Sequence, residues 1–235
     1  MSPEDLLARL LHRDGLMLIL DKPAGLAVHS GGNNEGGNLM RYLDALRFGL
    51  PRPPELAHRL DRDTSGCLVL GRHRKALGKL GKLFADGKVE KVYWAVTVGV
   101  PAQESGTIDL PLLKLEKKHG WRVVVDGKGQ KSVTDWRMLG HTDRLAWIEA
   151  RPRTGRTHQI RAHLAAIGSP IAGDAVYGHG TADLAASRLH LHARSVSVPL
   201  SANKPPVVAT APVPEHMREL LTACGWGGED DRTGK

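Results

Sequence analysis

The sequence predicts an α+β fold, a single domain with its strands concentrated in the middle of the chain. Three observations carry that prediction. Leu16–Leu20 is a compact apolar run, Val89–Val98 alternates with a period of two, and segments on both sides of that alternation carry apolar residues at helical spacing. Hydrophobic residues are 41% of the 235, enough for a core, and 27 Gly with 14 Pro stay below the share that marks low-complexity chains. Wholesale disorder is excluded, and no repeat or linker divides the chain.

From the N-terminus, Ser2-Pro3-Glu4-Asp5 reads as a capped helix start, with the helix running to about Leu11. Leu16–Leu20 predicts a buried strand that turns at Asp21-Lys22-Pro23-Ala24-Gly25. Gly31–Gly37 has no apolar group to bury and reads as a flexible loop, after which Asn38 caps a helix with Leu39, Leu43 and Leu46 on its apolar face. Pro51–Pro54 ends that helix. The polar stretch His58–Gly66 precedes a strand, Cys67–Leu70, and His73–Phe84 is a helix weakened by Gly78 and Gly81.

In Val89–Val98 one side is mixed, with Val89, Lys91, Tyr93, Ala95 and Thr97. The other is apolar, with Val92, Trp94, Val96 and Val98 beside Glu90. Trp121–Val125, Ser132–Leu139 and Leu145–Ala150 read as sheet joined by turns at Asp126-Gly127 and Asp143. Thr157–Ile167 is a helix begun by Thr157 or Gly155 and stopped by Gly168. Leu189–Leu200 and Val207–Thr210 are strands, and Pro214–Ala223 is the last helix. Residues 1–225 form the domain, and 226–235 a flexible polar tail.

Composition also restricts function. No apolar run approaches the roughly 20 residues that span a bilayer, and Met1–Asp21 is no secretory signal, so a cytoplasmic protein without a membrane partner is expected. Cys67 and Cys224 are too few for a disulfide framework or a four-thiolate zinc site. Against 25 acids stand 33 Lys and Arg, a formal +8, and the basic residues cluster. Arg72–Lys91 holds seven of them with two acids, and Arg151, Arg153, Arg156 and Arg161 lie together. Such clusters suit phosphates or form solvated faces.

Three constellations can carry chemistry. His58-Arg59-Leu60-Asp61-Arg62-Asp63-Thr64-Ser65-Gly66 sets two carboxylates among two arginines and a histidine. It reads as a salt-bridged turn or as a catalytic loop whose carboxylate stays ionised beside guanidinium. A metal on His58, Asp61 and Asp63 is disfavoured, since arginines repel a dication. Arg153–His163 reads as a basic amphipathic helix or as a helix start that binds an anion. Its His158 and His163 are five residues apart, about 140° around a helix, and poorly placed to share a metal. Lys91 and Tyr93 share a strand face, where the ring is half-buried core or a stacking platform for a base. His190 and His192 read as neutral strand histidines rather than ligands.

The order of motifs resembles the RluA family of RNA pseudouridine synthases. It comprises Lys22-Pro23-Ala24-Gly25-Leu26, His58-Arg59-Leu60-Asp61 with Thr64-Ser65-Gly66, Lys91-Val92-Tyr93, Gly155–His163, Gly173-Asp174 with Tyr177-Gly178, and Arg188–Ala193. The resemblance implies the synthase catalytic fold, a mixed and mainly antiparallel central sheet flanked by helices and loops, with a cleft across it. It implies Asp61 as the catalytic aspartate, Tyr93 as the active-site tyrosine and Arg161 as the arginine that pairs with the aspartate. Arg59, Arg62, Lys91, Arg156 and His158 are expected to contact RNA. The expected reaction is isomerisation of uridine in structured tRNA or rRNA, by a monomer, without metal or cofactor. A catalytically inactive RNA-binding module of the same fold is the alternative. Many relatives carry an N-terminal S4 domain, and the start of Lys-Pro-Ala-Gly at residue 22 leaves no room for one.

Overall fold

An apolar run of five residues cannot shield a helix on all sides, but it can fill a strand buried on both faces. In the computed structural model, which describes residues 2–29, 37–117, 120–178, 188–201 and 203–228, Met17–Leu20 of that run lies in the strand Met17–Lys22. Along the chain come α1 (Pro3–Leu7), β1 (Leu10–Arg13), β2 (Met17–Lys22), a 3-10 helix (Leu39–Leu46), β3 (Glu55–Leu56), β4 (Ser65–Gly71) and α2 (Arg74–Ala85). Then follow β5 (Glu90–Val98), β6 (Ser105–Asp109), β7 (Leu112–Lys117), β8 (Gly120–Val125), β9 (Val133–His141) and β10 (Leu145–Pro152). The last elements are α3 (Gln159–Ala166), β11 (Leu191–Val198), β12 (Val207–Thr210) and α4 (Glu215–Ala223). The fold is α+β, and none of its described helices is long and apolar enough to cross a membrane.

The elements gather into two compact units, residues 1–91 with 193–212, and residues 92–192 with 213–235. In the first, β1, β2, β4, β11 and β12 neighbour one another in that order, and β3 also pairs with β4. All seven residues of β4 are buried. Met17, Ile19, Cys67, Val69, Leu80 of α2, Val196 and Ala209 form this core. Burial also pushes the Cys67 thiol up to about 12, so it is an inert core group.

The second unit is an antiparallel sheet in the order β5, β10, β9, β6, plus the hairpin β7–β8. The alternation in β5 does what its pattern predicts. Ala95, with Tyr93 partly buried, joins Ile148, Ile160, Leu164 and Ile171 on one side. Trp94 and Val96 join Trp147, Met217 and Leu221 of α4 on the other. Trp226 is buried in that second cluster, so the core runs one residue past the expected boundary at 225. Residues 229–235 of the expected tail, like 31–36 of the expected glycine loop, lie outside the described residues.

Four local expectations are corrected. The first helix stops at Leu7, because Leu10–Arg13 pairs with β2, where cross-strand hydrogen bonds replace helical ones. Leu39, Leu43 and Leu46 are buried as expected, but on a 3-10 helix, and Asn38 makes no side-chain cap. Asp126-Gly127 does not join a hairpin of β8 with β9, since β8 pairs with β7. The third helix begins at Gln159 rather than Thr157 or Gly155, with His158 in left-handed conformation before it, at φ 53°.

Candidate active site

In the first unit, Asp61 lies on a loop tied down at several points. His58 opens it: its Nε2 accepts the Val69 N–H of β4 at 3.0 Å, and its ring stacks on Phe84 of α2 at 4.5 Å. An accepting nitrogen must be unprotonated, and burial pushes His58 down to about 3, helped by the charge of Lys91. The ring is therefore an anchor, and its accepting nitrogen is not available to a metal with Asp61 and Asp63. Leu60 is buried, Arg59 and Arg62 are exposed, and Asp61 is half-buried. The Thr64 N–H closes a turn onto the Asp61 carbonyl at 3.2 Å, and Thr64 and Ser65 are buried. Arg62 Nε reaches Asp63 at 3.2 Å, an exposed pair that braces the loop's outer side.

Lys22 holds the same loop from beneath. The side chain is 1% exposed, and its Nζ donates to the carbonyls of Pro23, Leu26 and Arg62, each at 2.9 Å. The Gly25 N–H also donates to the Arg62 carbonyl, at 3.0 Å. The residue between the two loop aspartates is thus fixed by an ammonium and an amide. Burial pushes Lys22 down to about 7, against the opposing pull of the Asp63, Asp61 and Asp21 carboxylates. The Lys-Pro-Ala-Gly motif was visible in the sequence, but not this task.

Gly66 follows in β4 at φ 103°, and a Cβ there would lie 2.2 Å from the Ala193 carbonyl oxygen. Only glycine permits both the backbone turn and that approach, which explains the glycine closing the Thr-Ser-Gly motif.

Tyr93 and Arg161 belong to the second unit. Tyr93 lies opposite Ala150 in the β5–β10 ladder. Arg161 is buried in the first turns of α3, with Nε and Nη2 on the two oxygens of Asp174 at 2.7 and 2.8 Å. Asp174 Oδ1 also accepts the N–H groups of Val176 and Tyr177. Burial pushes this carboxyl up, but the Arg161 guanidinium and the two amides outweigh it and hold Asp174 below the usual range. The guanidinium carbon sits 5.3 Å from the centre of the Tyr177 ring. Asp174 is a partner for Arg161 that sequence reasoning left without a role.

The start of α3 is fixed by side chains. Gln159 Oε1 accepts from Thr154 Oγ1 and the Arg156 N–H, while its Nε2 donates to the Val133 carbonyl and Thr134 Oγ1. His163 bridges Thr134 and the Leu110 carbonyl at 2.9 and 3.0 Å. Of the residues expected on RNA, Arg156 is exposed and donates to the Lys131 carbonyl, and His158 Nδ1 is 3.0 Å from the Tyr177 hydroxyl. Lys91 is half-buried, and burial lowers its pKa. His192 is buried in β11, while His190, expected in the same strand, is buried just before it, and among the described residues no three His, Cys, Asp or Glu gather as metal ligands.

The family model described as RNA pseudouridylate synthase matches residues 16–166, which include Lys22, Asp61, Tyr93 and Arg161. The chain belongs to the RNA pseudouridylate synthase family. An uncharacterized RNA pseudouridine synthase of Zymomonas mobilis subsp. mobilis is 46% identical to this synthase, over 90% of this chain and 96% of the relative. Ribosomal large subunit pseudouridine synthase C of Vibrio cholerae is 37% identical, over 91% of this chain and 68% of that one. Synthase D of Xanthomonas campestris pv. campestris is 35% identical, over 94% and 71%. Among solved structures, human RNA pseudouridylate synthase domain containing 4 matches with a TM-score of 0.79 at 28% identity, covering 94% of each chain.

Proposed function

We propose that this synthase converts uridine in structured ribosomal or transfer RNA to pseudouridine, with Asp61 as the catalytic carboxylate. The observation that carries the reading is the loop of Asp61, held at the Arg62 carbonyl by the buried Lys22 ammonium and at His58 by β4. A nucleophile needs such restraint, because misplacement by about 1 Å can cost about a hundredfold in rate. The N1–C1′ bond breaks, the uracil turns, and C5 joins C1′. The proton lost from C5 is balanced by one gained at N1, so the reaction needs no oxidant and no second substrate. Asp61 attacks or stabilises C1′, Tyr93 stacks on the base, and Arg161, oriented by Asp174, supplies a guanidinium. A uridine in a loop leaves its stack more cheaply than one in a duplex, which favours structured loops as targets. The names of the C and D relatives support ribosomal RNA. The working form is a cytoplasmic monomer with no metal or cofactor.

The test compares Asp61→Asn with Asp63→Asn. The first should abolish pseudouridine formation in ribosomal RNA while keeping RNA affinity, and the second should retain turnover. Substantial turnover by Asp61→Asn refutes the assignment. Mapping pseudouridines in a strain lacking the gene identifies the target base.

A further inference from the structure

Helix α2 is poorly suited to stand alone in water. Of its twelve residues, Arg74, Lys75, Lys79 and Lys82 are exposed, and none is Asp or Glu. Arg74 and Lys75 occupy the first turn, where the helix dipole is positive and carboxylates are favoured. Lys75 and Lys79, four apart, and Lys79 and Lys82, three apart, are like-charge neighbours that weaken a helix. Gly78 and Gly81 lie among them, and glycine is the costliest residue in a helix interior apart from proline. Nothing inside the protein requires these glycines, since a Cβ at either meets no atom within 4 Å. The buried side, with Ala76 and Leu80, is conventional. All the conflicts fall on the outward face.

One kind of partner removes all of them together. We propose that the exposed face of α2 lies along the phosphodiester backbone of the substrate RNA, with Arg74, Lys75, Lys79 and Lys82 on phosphates. This rests on the reading that the substrate is RNA. Phosphates would neutralise the like charges and sit at the positive end of the helix, and the glycines would let the backbones approach closely. Lys75 to Lys82 spans about 10 Å of helix, enough for more than one phosphate. A lipid surface fits less well, since glycines stand between the lysines where a membrane helix carries apolar anchors.

The probe is a fluorescein-labelled RNA hairpin with a uridine-containing loop, titrated against the full chain over a range of salt. Lys75→Gln/Lys79→Gln/Lys82→Gln should make the slope of log K against log salt shallower by about 2 to 3. Gly78→Ala/Gly81→Ala should melt at higher temperature yet bind the hairpin several-fold more weakly. A merely solvated helix would gain the stability without losing the RNA. The proposal is overturned by a triple variant with the wild-type slope, or by an alanine variant that binds as well as wild type. It is also overturned if the triple variant loses only binding to phosphatidylglycerol vesicles. Turnover of ribosomal RNA by the wild-type protein is scored separately. Its absence, with the slope change intact, would remove the enzymatic reading and leave the docking face standing.

Discussion

Acid should loosen the loop of Asp61 through His58, and the size of the effect follows from the structure. The folded chain needs His58 neutral, because Nε2 accepts the Val69 N–H and the ring is packed on Phe84. Its pKa falls from 6.5 to about 3 on folding. Between those values the unfolded chain binds a proton that the folded chain refuses, so stability falls as pH falls below 6.5. At pH 4.5, two units below the unfolded value, at about 1.36 kcal/mol per unit, the loss is about 2.7 kcal/mol relative to neutral pH. His163, His190 and His216 are also pushed down by burial and add to the total, so the effect must be read as a difference. His58→Gln keeps an acceptor for Val69 and removes the titration. Urea unfolding of both proteins at pH 7.5 and 4.5 should show the variant losing about 2 to 3 kcal/mol less than wild type. Equal losses in the two would refute the buried, accepting imidazole.

Three further outcomes are expected. Gly66→Ala should cost at least about 3 kcal/mol in urea unfolding, because the new Cβ meets the Ala193 backbone and φ is positive. A loss under about 1 kcal/mol would show that the backbone can yield there. Asp174→Ala should cost about 3 to 5 kcal/mol, since it takes a bidentate carboxylate from a buried guanidinium. Arg161→Met/Asp174→Leu should recover part of that stability but no turnover, and an active double variant would remove Arg161 from the reaction. Tyr93→Phe should bind RNA nearly as wild type and lose most turnover, while Tyr93→Ala loses both, with stacking worth about 1–3 kcal/mol. Wild-type turnover in both variants would make Tyr93 a core residue only.

Elements whose signal is local were legible in the sequence. Val207–Thr210 forms as predicted, and the two faces of β5 go to the two clusters its alternation implies, because side-chain direction in a strand depends only on parity. The family motifs single out Asp61, Tyr93 and Arg161, the residues proposed for the reaction. Strand β6, Ser-Gly-Thr-Ile-Asp, was not legible. It buries only Ile108 and is a strand because β9 offers it a ladder. The first residue of α3 was missed because Gln159 bonds to Val133 and Thr134, 26 and 25 residues earlier. Lys22 could be quoted as part of a motif, yet its task depends on the Arg62 carbonyl 40 residues away. Asp174 likewise became Arg161's carboxylate only when the chain between them folded back. Periodicity and propensity act over a few neighbouring residues, so they determine elements. A buried charge must find its acceptors wherever the chain brings them, and those partners are decided only in three dimensions.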